Sequence, residues 1–453
     1  MKLTVIGGGG VRSLFLAKSL AMEAEASGLT EIVLMDSDEQ KLEYFGHLAL
    51  EGAKRLAPEL KFSLTSDPIR AVRDADYVIT TIRVGGDAMR VEDEKICLKH
   101  GVLAQETTGA GALSFAMRSL PALAKYCELI KQHAKADVKV FNFTNPAGLV
   151  SQGLRDLGYD FTYGICDAPT SLLQQIARML GVEGDRVSAR AVGLNHLSWF
   201  PEVYLDDKDI TAELIQDPRL YVETDMQFFD RELVERYGML FNEYLYYYYY
   251  REIALGNIQR AKETRGQQIL RINTEMMRAF EQIKNPTFDE SLALFEHYYG
   301  MREDSYMASE TGKARKKKWS FDLYAPDPGG YAGVALGFIR LENSLQGGRM
   351  IMNLPNNGAI SYLEDDDVIE QSLMVSSSGV IPDKAPALPA PAEALIYAMK
   401  SYERQACRAI EMTSLDMAAD ALQMHPLIQS YSLGRSLAED FFRLNEKYLE
   451  ELV

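Results

Sequence analysis

The sequence predicts an α/β fold, a doubly wound parallel sheet followed by an α+β segment. Three observations predict it. Over roughly the first 165 residues, short β-rich runs alternate with longer helical patterns, the signature of parallel strands joined by crossover helices. A run of four glycines, Gly7, Gly8, Gly9 and Gly10, separates the first β-rich run from the first helical pattern. After about residue 170 the alternation stops and long helical patterns take over.

The elements follow in order. KLTVIG (2–7) reads as a strand, and Ser13 to about Ala26 as an Ala/Leu-rich helix. EIVLMD (31–36) is a second strand, and Gln40 to about Leu56 a second helix. DYVITTI (76–82) and VKVFNF (138–143) are further strands, each preceded by a helical stretch. Beyond them the sequence predicts strands around 190–206 and 332–354 and a helical C-terminus from about 393. GKARKKKW (312–319) is expected to be a solvated basic loop, and PDKAPALPAPAE (382–393) an extended connector. The change in pattern divides the chain into a first domain, 1–168, and a second, 169–453.

Composition narrows the function. The chain has 453 residues, 47% hydrophobic and 25% charged, as expected for a globular protein with an ample core. A formal net charge of −17 argues against a nucleic-acid partner, which needs a basic face. It does not argue against a small anionic ligand, because a few local arginines outweigh a distant acidic surface. Four cysteines without a CxxC pair indicate a reducing compartment, and cytoplasmic location is the expectation. MKLTVIGGGG does not read as a signal peptide, and no apolar run reaches the ~18 residues of a membrane span.

The glycines stand where a pyrophosphate would meet the positive end of a helix. Gly7 and Gly9 fit G-x-G, while Val11 and Arg12 complete the turn, with Arg12 where a third glycine would stand. Asp36, at the end of the second strand, is placed to hold ribose hydroxyls and to disfavour a 2′-phosphate. Together they predict a Rossmann-like, NAD-binding half of the lactate/malate dehydrogenase type; the competing reading is a tight turn that packs a helix on a sheet. TNPAG (144–148) places Asn145 at a later strand end, facing either a ligand or a simple turn. GICDAP (164–169) brings Cys166 and Asp167 to another strand end, and GLNHLSW (193–199) carries His196. A thiolate and an imidazole can share a divalent metal whose shell water and substrate complete; core packing is the plainer alternative. In NEYLYYYYYR (242–251) Tyr244, Tyr247 and Tyr248 share one helical face, and Tyr246 and Tyr250 another. Most are expected in the core, and one phenol beside a cation can act as a base. RVGGDAMRVEDE (83–94) and QETTGAGA (105–112) carry Arg83, Arg90 and Glu106, a phosphate fork or a surface ion-pair network.

The order and spacing of these motifs, with NNGAI (356–360), resemble glycoside hydrolase family 4 over nearly the whole chain. That family hydrolyses glycosides with NAD and stands outside the two-carboxylate mechanism. The resemblance implies Cys166 and His196 as ligands of a divalent metal, usually manganese, Tyr244 as the base and Asp167 as leaving-group acid. It implies Arg90, assisted by Arg260, on a sugar 6-phosphate, with Asn145 and Glu106 on substrate or metal shell. The Gly7–Arg12 turn, Asp36 and Arg83 would hold the cofactor. The expected substrate is a phosphorylated disaccharide or an aryl 6-phospho-glucoside, and the expected assembly a homodimer or homotetramer. The continuation Gly10-Val11-Arg12 departs from the family's Ser-Thr/Tyr-Pro type. Cys166-Asp167 resembles α-specific members, whereas GLNHLSW and NNGAI resemble β-specific ones, and the β-glucosidase reading is favoured. Two rivals stay open: a lactate/malate-type dehydrogenase, and a non-catalytic NAD-binding sensor.

Overall fold

The computed structural model describes residues 1–312, 319–326, 331–384 and 386–449. The predicted basic loop therefore lies almost wholly outside the described residues. Six strands, β1 (Lys2–Ile6), β2 (Glu31–Met35), β3 (Lys61–Thr65), β4 (Tyr77–Thr80), β5 (Lys139–Asn142) and β6 (Thr162–Gly164), form a parallel array. Their order is β3-β2-β1-β4-β5-β6. Both faces of this array are covered, which is why its strands read as nearly continuous apolar runs. Leu3, Val5, Ile32 and Leu34 enter one core, while Ile6, Val33 and Met35 enter the core on the opposite face.

The sheet continues past β6 without a break. β11 (Gly348–Pro355) joins β6 through the pair Asn353 and Gly164, then come β12 (Val368–Ser376), β7 (Val187–Leu194), β8 (Leu197–Leu205) and β10 (Leu240–Phe241), all antiparallel. β9 (Lys208–Asp209) and β13 (Gly379–Pro382) pair with β8 and β12. Long helices at 390–411, 415–424 and 431–449 pack a third, larger core with the tyrosine segment.

Most predicted elements are present, with three corrections. The first helix ends at Met22 rather than near Ala26. The helix over 40–56 contains a π-helical segment at Leu42–Gly46. The first half of the predicted 332–354 strand region is a helix, Tyr331–Glu342, and only Gly348–Pro355 is strand. That helix buries Ala332, Val334, Ala335, Leu336, Phe338 and Ile339 against the parallel sheet, so its apolar run lacks the amphipathic period that separates helix from strand. β12 escaped notice because Glu370, Gln371 and Ser372 break its apolar pattern, although all three are buried. No described helix is long and apolar enough to cross a membrane.

Candidate active site

A cleft of about 860 Å³ opens at the carboxyl ends of the parallel strands. In such sheets ligands bind where the strand order reverses, here between β1 and β4. Five strand ends contribute to it: Gly7 after β1, Asp36 after β2, Arg83 after β4, Asn145 after β5, and Cys166 and Asp167 after β6. His196, Tyr244, Arg90 and Glu106 complete the set.

The glycine turn is built for close backbone approach. Gly7 has φ +96°, and a Cβ there would lie 2.4 Å from the Thr81 carbonyl oxygen. The Gly8 amide donates to the Met35 carbonyl, and the Gly9 amide donates to Asp36 Oδ2 at 2.9 Å. Asp36 thereby ties the turn to the second strand while its carboxylate faces the cleft. Gly10, Val11 and Arg12 line the cleft directly. These features fit a dinucleotide: an open backbone turn, a helix start at Ser13 and a ribose-facing carboxylate.

Beyond the turn, Arg12 runs toward the other side of the cleft. Its guanidinium hydrogen-bonds Tyr299 and lies near Asp167 and Glu303. Burial pushes the Asp167 carboxyl up, and the Arg12 charge opposes this only in part. Arg83 makes two hydrogen bonds to Glu106, at 2.7 and 3.0 Å, and Arg90 approaches the same carboxylate at 3.4 Å. Burial alone would raise the Glu106 carboxyl, but the two guanidiniums more than offset it and hold it well below the usual range. Arg90 also bonds Glu94 at 3.1 Å.

His196 occupies the two-residue turn between β7 and β8, where Leu194 pairs with Leu197. Its φ is +61°, a left-handed conformation uncommon for a residue other than glycine and of the kind found where function fixes a side chain. Burial pushes its imidazole down to about 3, so the ring is neutral and able to ligate. Among the described residues its buried Nδ1 has no hydrogen-bond partner. Cys166 is buried in the wall of the same cleft, and burial, with the negative charges of Glu370 and Asp167, pushes its thiol up. A bound dication reverses that balance and deprotonates the thiol. Among the described residues no three His, Cys, Asp or Glu side chains converge as a complete metal shell. The soft sulfur and orphaned imidazole nitrogen fit a metal that takes its remaining ligands from substrate and water.

The Tyr244 ring lies flat on His196, centroids 3.6 Å apart and 3° between planes. Burial and the charge of Glu243 push its phenol well above the usual value. Tyr244 sits in a short 3-10 turn capped by Asn242, whose side chain accepts from the Tyr244 amide. Asn242 donates to Ser198 Oγ, which donates to Glu370 Oε1 at 2.6 Å, and Asn195 reaches Glu370 Oε2. One buried carboxylate on β12 thus anchors both the histidine turn and the tyrosine cap. The spacing holds for two pairs, Tyr247 stacked near Tyr244 and Tyr246 on Tyr250, while Tyr248 turns to Met399 and Tyr249 accepts from Trp199.

One expectation is corrected. Arg260 does not line the cleft; it is exposed at the end of a helix and bonds Asn257 at 2.7 Å, one turn back. Arg265 and Arg302 stand in the cleft instead. Among the described residues Arg302 Nε is buried without a hydrogen-bond partner. Burial, followed by the charges of Arg302 and Arg90, pushes Arg265 down to about 10, although Glu310 and Glu303 pull the other way. No local motif marks these two, because each comes from a distant helix. The NNGAI segment stays outside the cleft, with Asn356 spent on the carbonyls of Ile360, Leu363 and Glu364.

Comparison with known proteins gives a consistent result. A model described as family 4 glycosyl hydrolase matches residues 2–182, and one described as the C-terminal domain of that family matches residues 191–428. The 6-phospho-beta-glucosidase of Thermotoga maritima is 29% identical over 99% of this chain and 100% of its own. A structure of the Thermotoga maritima enzyme with manganese, NAD+ and glucose-6-phosphate superposes with TM-score 0.81 at 28% identity, covering 99% of each chain. A 6-phospho-alpha-glucosidase from gut microorganisms, in complex with NAD and glucose-6-phosphate, gives 0.80 at 26%, covering 99% of this chain and 98% of its own. A lactate dehydrogenase from a deep-sea metagenome library gives 0.50 at 14%, covering 90% of this chain and 98% of its own, a likeness of fold alone.

Proposed function

The chain belongs to glycosyl hydrolase family 4, and we propose that it hydrolyses 6-phosphoglucosides, β-linked ones in preference, by oxidation, elimination and water addition. The observation that carries this reading is the flat contact between Tyr244 and His196 in a cleft shared with Cys166 and the glycine turn. Residues 1–168 would hold the dinucleotide, and 169–453 would supply the base, the imidazole ligand and two more arginines. Gly7 to Arg12, Asp36 and Arg83 are the dinucleotide contacts, and Cys166 and His196 the metal ligands. When bound, NAD⁺ supplies a hydride acceptor for carbon 3 of the sugar, and the cation polarises the oxygen there.

The chain's own groups do the rest. A carbonyl at carbon 3 acidifies the proton on carbon 2, and Tyr244 Oη receives that proton. Stacking on His196 would hold the ring near a cation bound by that imidazole, which is what a phenolic base needs. Arg265, Arg302 and Arg90 meet the 6-phosphate, the anion their mutual repulsion calls for. Glu106, held ionised between Arg83 and Arg90, and Asn145 orient sugar hydroxyls or metal-shell water.

The second reading is an α-linked substrate. The observation that favours it is the buried Asp167, whose raised carboxyl could hand a proton to the leaving oxygen. The test offers 4-nitrophenyl 6-phospho-β-glucoside, its α-anomer and the unphosphorylated β-glucoside to the enzyme with NAD⁺, Mn²⁺ and a thiol reductant. Cleavage of the phosphorylated β-anomer alone is expected. Cleavage of the α-anomer, abolished by Asp167→Asn, would establish the second reading, and cleavage of the unphosphorylated glucoside would remove the phosphate from the account.

A further inference from the structure

Tyr244 does not end its hydrogen bonding at the cleft wall. Its Oη lies 3.1 Å from Tyr306 Oη, and Tyr306 donates to Glu243 Oε1 at 2.9 Å. A carboxylate carries no proton, so the Tyr306 hydroxyl must be the donor in that second bond. Its lone pair is then left to accept the proton of Tyr244. With that donor, the chain runs from Tyr244 through Tyr306 to Glu243. Glu243 and Tyr306 both line the cleft, and Glu243 directly precedes Tyr244 on the same 3-10 turn. Asn242 fixes that turn by accepting the Tyr244 amide, so the two ends of the relay are held by one cap.

We propose that Tyr306 and Glu243 form a proton relay behind Tyr244, with the Glu243 carboxylate as the final acceptor of the carbon 2 proton. The proposal rests on the reading of Tyr244 as the base. In the forward step the carbon 2–hydrogen bond breaks and its electron pair stays on the substrate as the enolate of the carbon 3 ketone. Tyr244 Oη gains that proton and passes its own to Tyr306 Oη. Tyr306 passes its proton to Glu243 Oε1, so one negative charge leaves the carboxylate as one appears on the substrate. When water adds, its oxygen bonds carbon 1, its surplus proton goes to the departed aglycone oxygen, and the relay runs backward: Glu243 gives up its proton, and carbon 2 receives one from Tyr244. No free phenolate is needed at any point. Tyr306 and Glu243 are positioning residues that act through Tyr244, since only Tyr244 meets the reacting atom.

The test is a double-substitution cycle on the holoenzyme, with Tyr306→Phe, Glu243→Gln and the pair together. Each single change is expected to lower kcat by about a hundredfold, the lower end of general acid–base contributions, with KM within about twofold. A substrate deuterated at carbon 2 should show a larger isotope effect on kcat in both variants than in the parent enzyme. Because both residues serve one chain, the double variant should lose no more than the worse single. Mn²⁺ affinity and the crystal structure of Tyr306→Phe, with Tyr244 still flat on His196, provide readouts apart from turnover. Parental kcat in Tyr306→Phe, multiplicative losses in the double variant, or a displaced Tyr244 ring would each overturn the relay. Tyr244→Phe separates the two claims. If it stays active, the base assignment itself fails; if it is inactive while Tyr306→Phe is parental, only the relay fails.

Discussion

His196 holds a left-handed backbone conformation in the tight turn between two long strands, and that choice aims its ring at Tyr244. Residues in such conformations cost about 1–3 kcal/mol and persist where surrounding structure enforces them. Here the enforcement is the Glu370, Ser198 and Asn242 network. At this scale most of the site was legible: Gly7, Asp36, Cys166, Asp167, His196 and Tyr244 all reach one cleft. Arg265, Arg302, Tyr306 and Glu243 were not singled out. Their roles depend on which helix ends meet in space, and no local spacing carries that information. Arg302→Gln should therefore raise KM for a 6-phosphorylated substrate about ten- to a hundredfold, with kcat little changed. That is the cost of losing a charge-assisted contact worth about 1.5–3 kcal/mol. Steady-state kinetics check it, and an unchanged KM would remove Arg302 from the phosphate contacts.

The decisive element is the turn from β1 into the helix at Ser13. Its sequence pattern was legible because glycine is the one residue that serves there. At φ +96°, with the Thr81 carbonyl 2.4 Å from a would-be Cβ, any side chain must displace β4 or the turn itself. Gly7→Ala should weaken NAD⁺ binding at least about tenfold, the lower part of the 1–3 kcal/mol that such strain stores. Titration calorimetry reads it directly, and parental affinity would contradict the proposed placement of the cofactor. The helix at 331–342 shows the opposite case. Buried over most of its length, it carries no polar face, so its periodicity is silent and its apolar run imitates a strand. β12 is the mirror example: a buried strand whose Glu370, Gln371 and Ser372 look solvated in the sequence. They are bonded instead to Ser198, Asn195, the Pro355 carbonyl and the Ala189 carbonyl.

Across the whole molecule, the parallel half was the easier to read because strand–helix alternation has few topological solutions, and the order β3-β2-β1-β4-β5-β6 is one of them. The antiparallel half extends the same sheet by pairings between segments nearly 200 residues apart, as between Glu370 and Gly193, which no local pattern announces. The helical C-terminus closes over this half and buries His425, whose Nδ1 accepts from the Leu427 amide while burial pushes the ring down to about 3. A histidine kept neutral in the fold but charged when unfolded stabilises the fold above the unfolded value near 6.5. That contribution is lost as pH falls toward the folded value. Relative to His425→Gln, the parent protein should therefore lose about 1.4 kcal/mol of stability per pH unit between roughly pH 6 and 4. Denaturant midpoints at several pH values measure this, and a pH-independent difference would contradict it.

On the proposed route, glycoside cleavage borrows a hydride and returns it. This is tested most directly by following nitrophenol release and NADH absorbance together on the phosphorylated substrate, with NAD⁺ and Mn²⁺ omitted in turn. Release that needs both additions, while no NADH accumulates over many turnovers, is the expected result. NADH that builds up without nitrophenol would mark a dehydrogenase. Release that continues in cofactor-free, metal-free enzyme would contradict the redox–elimination route, and bound NAD⁺ with neither signal would mark a sensor.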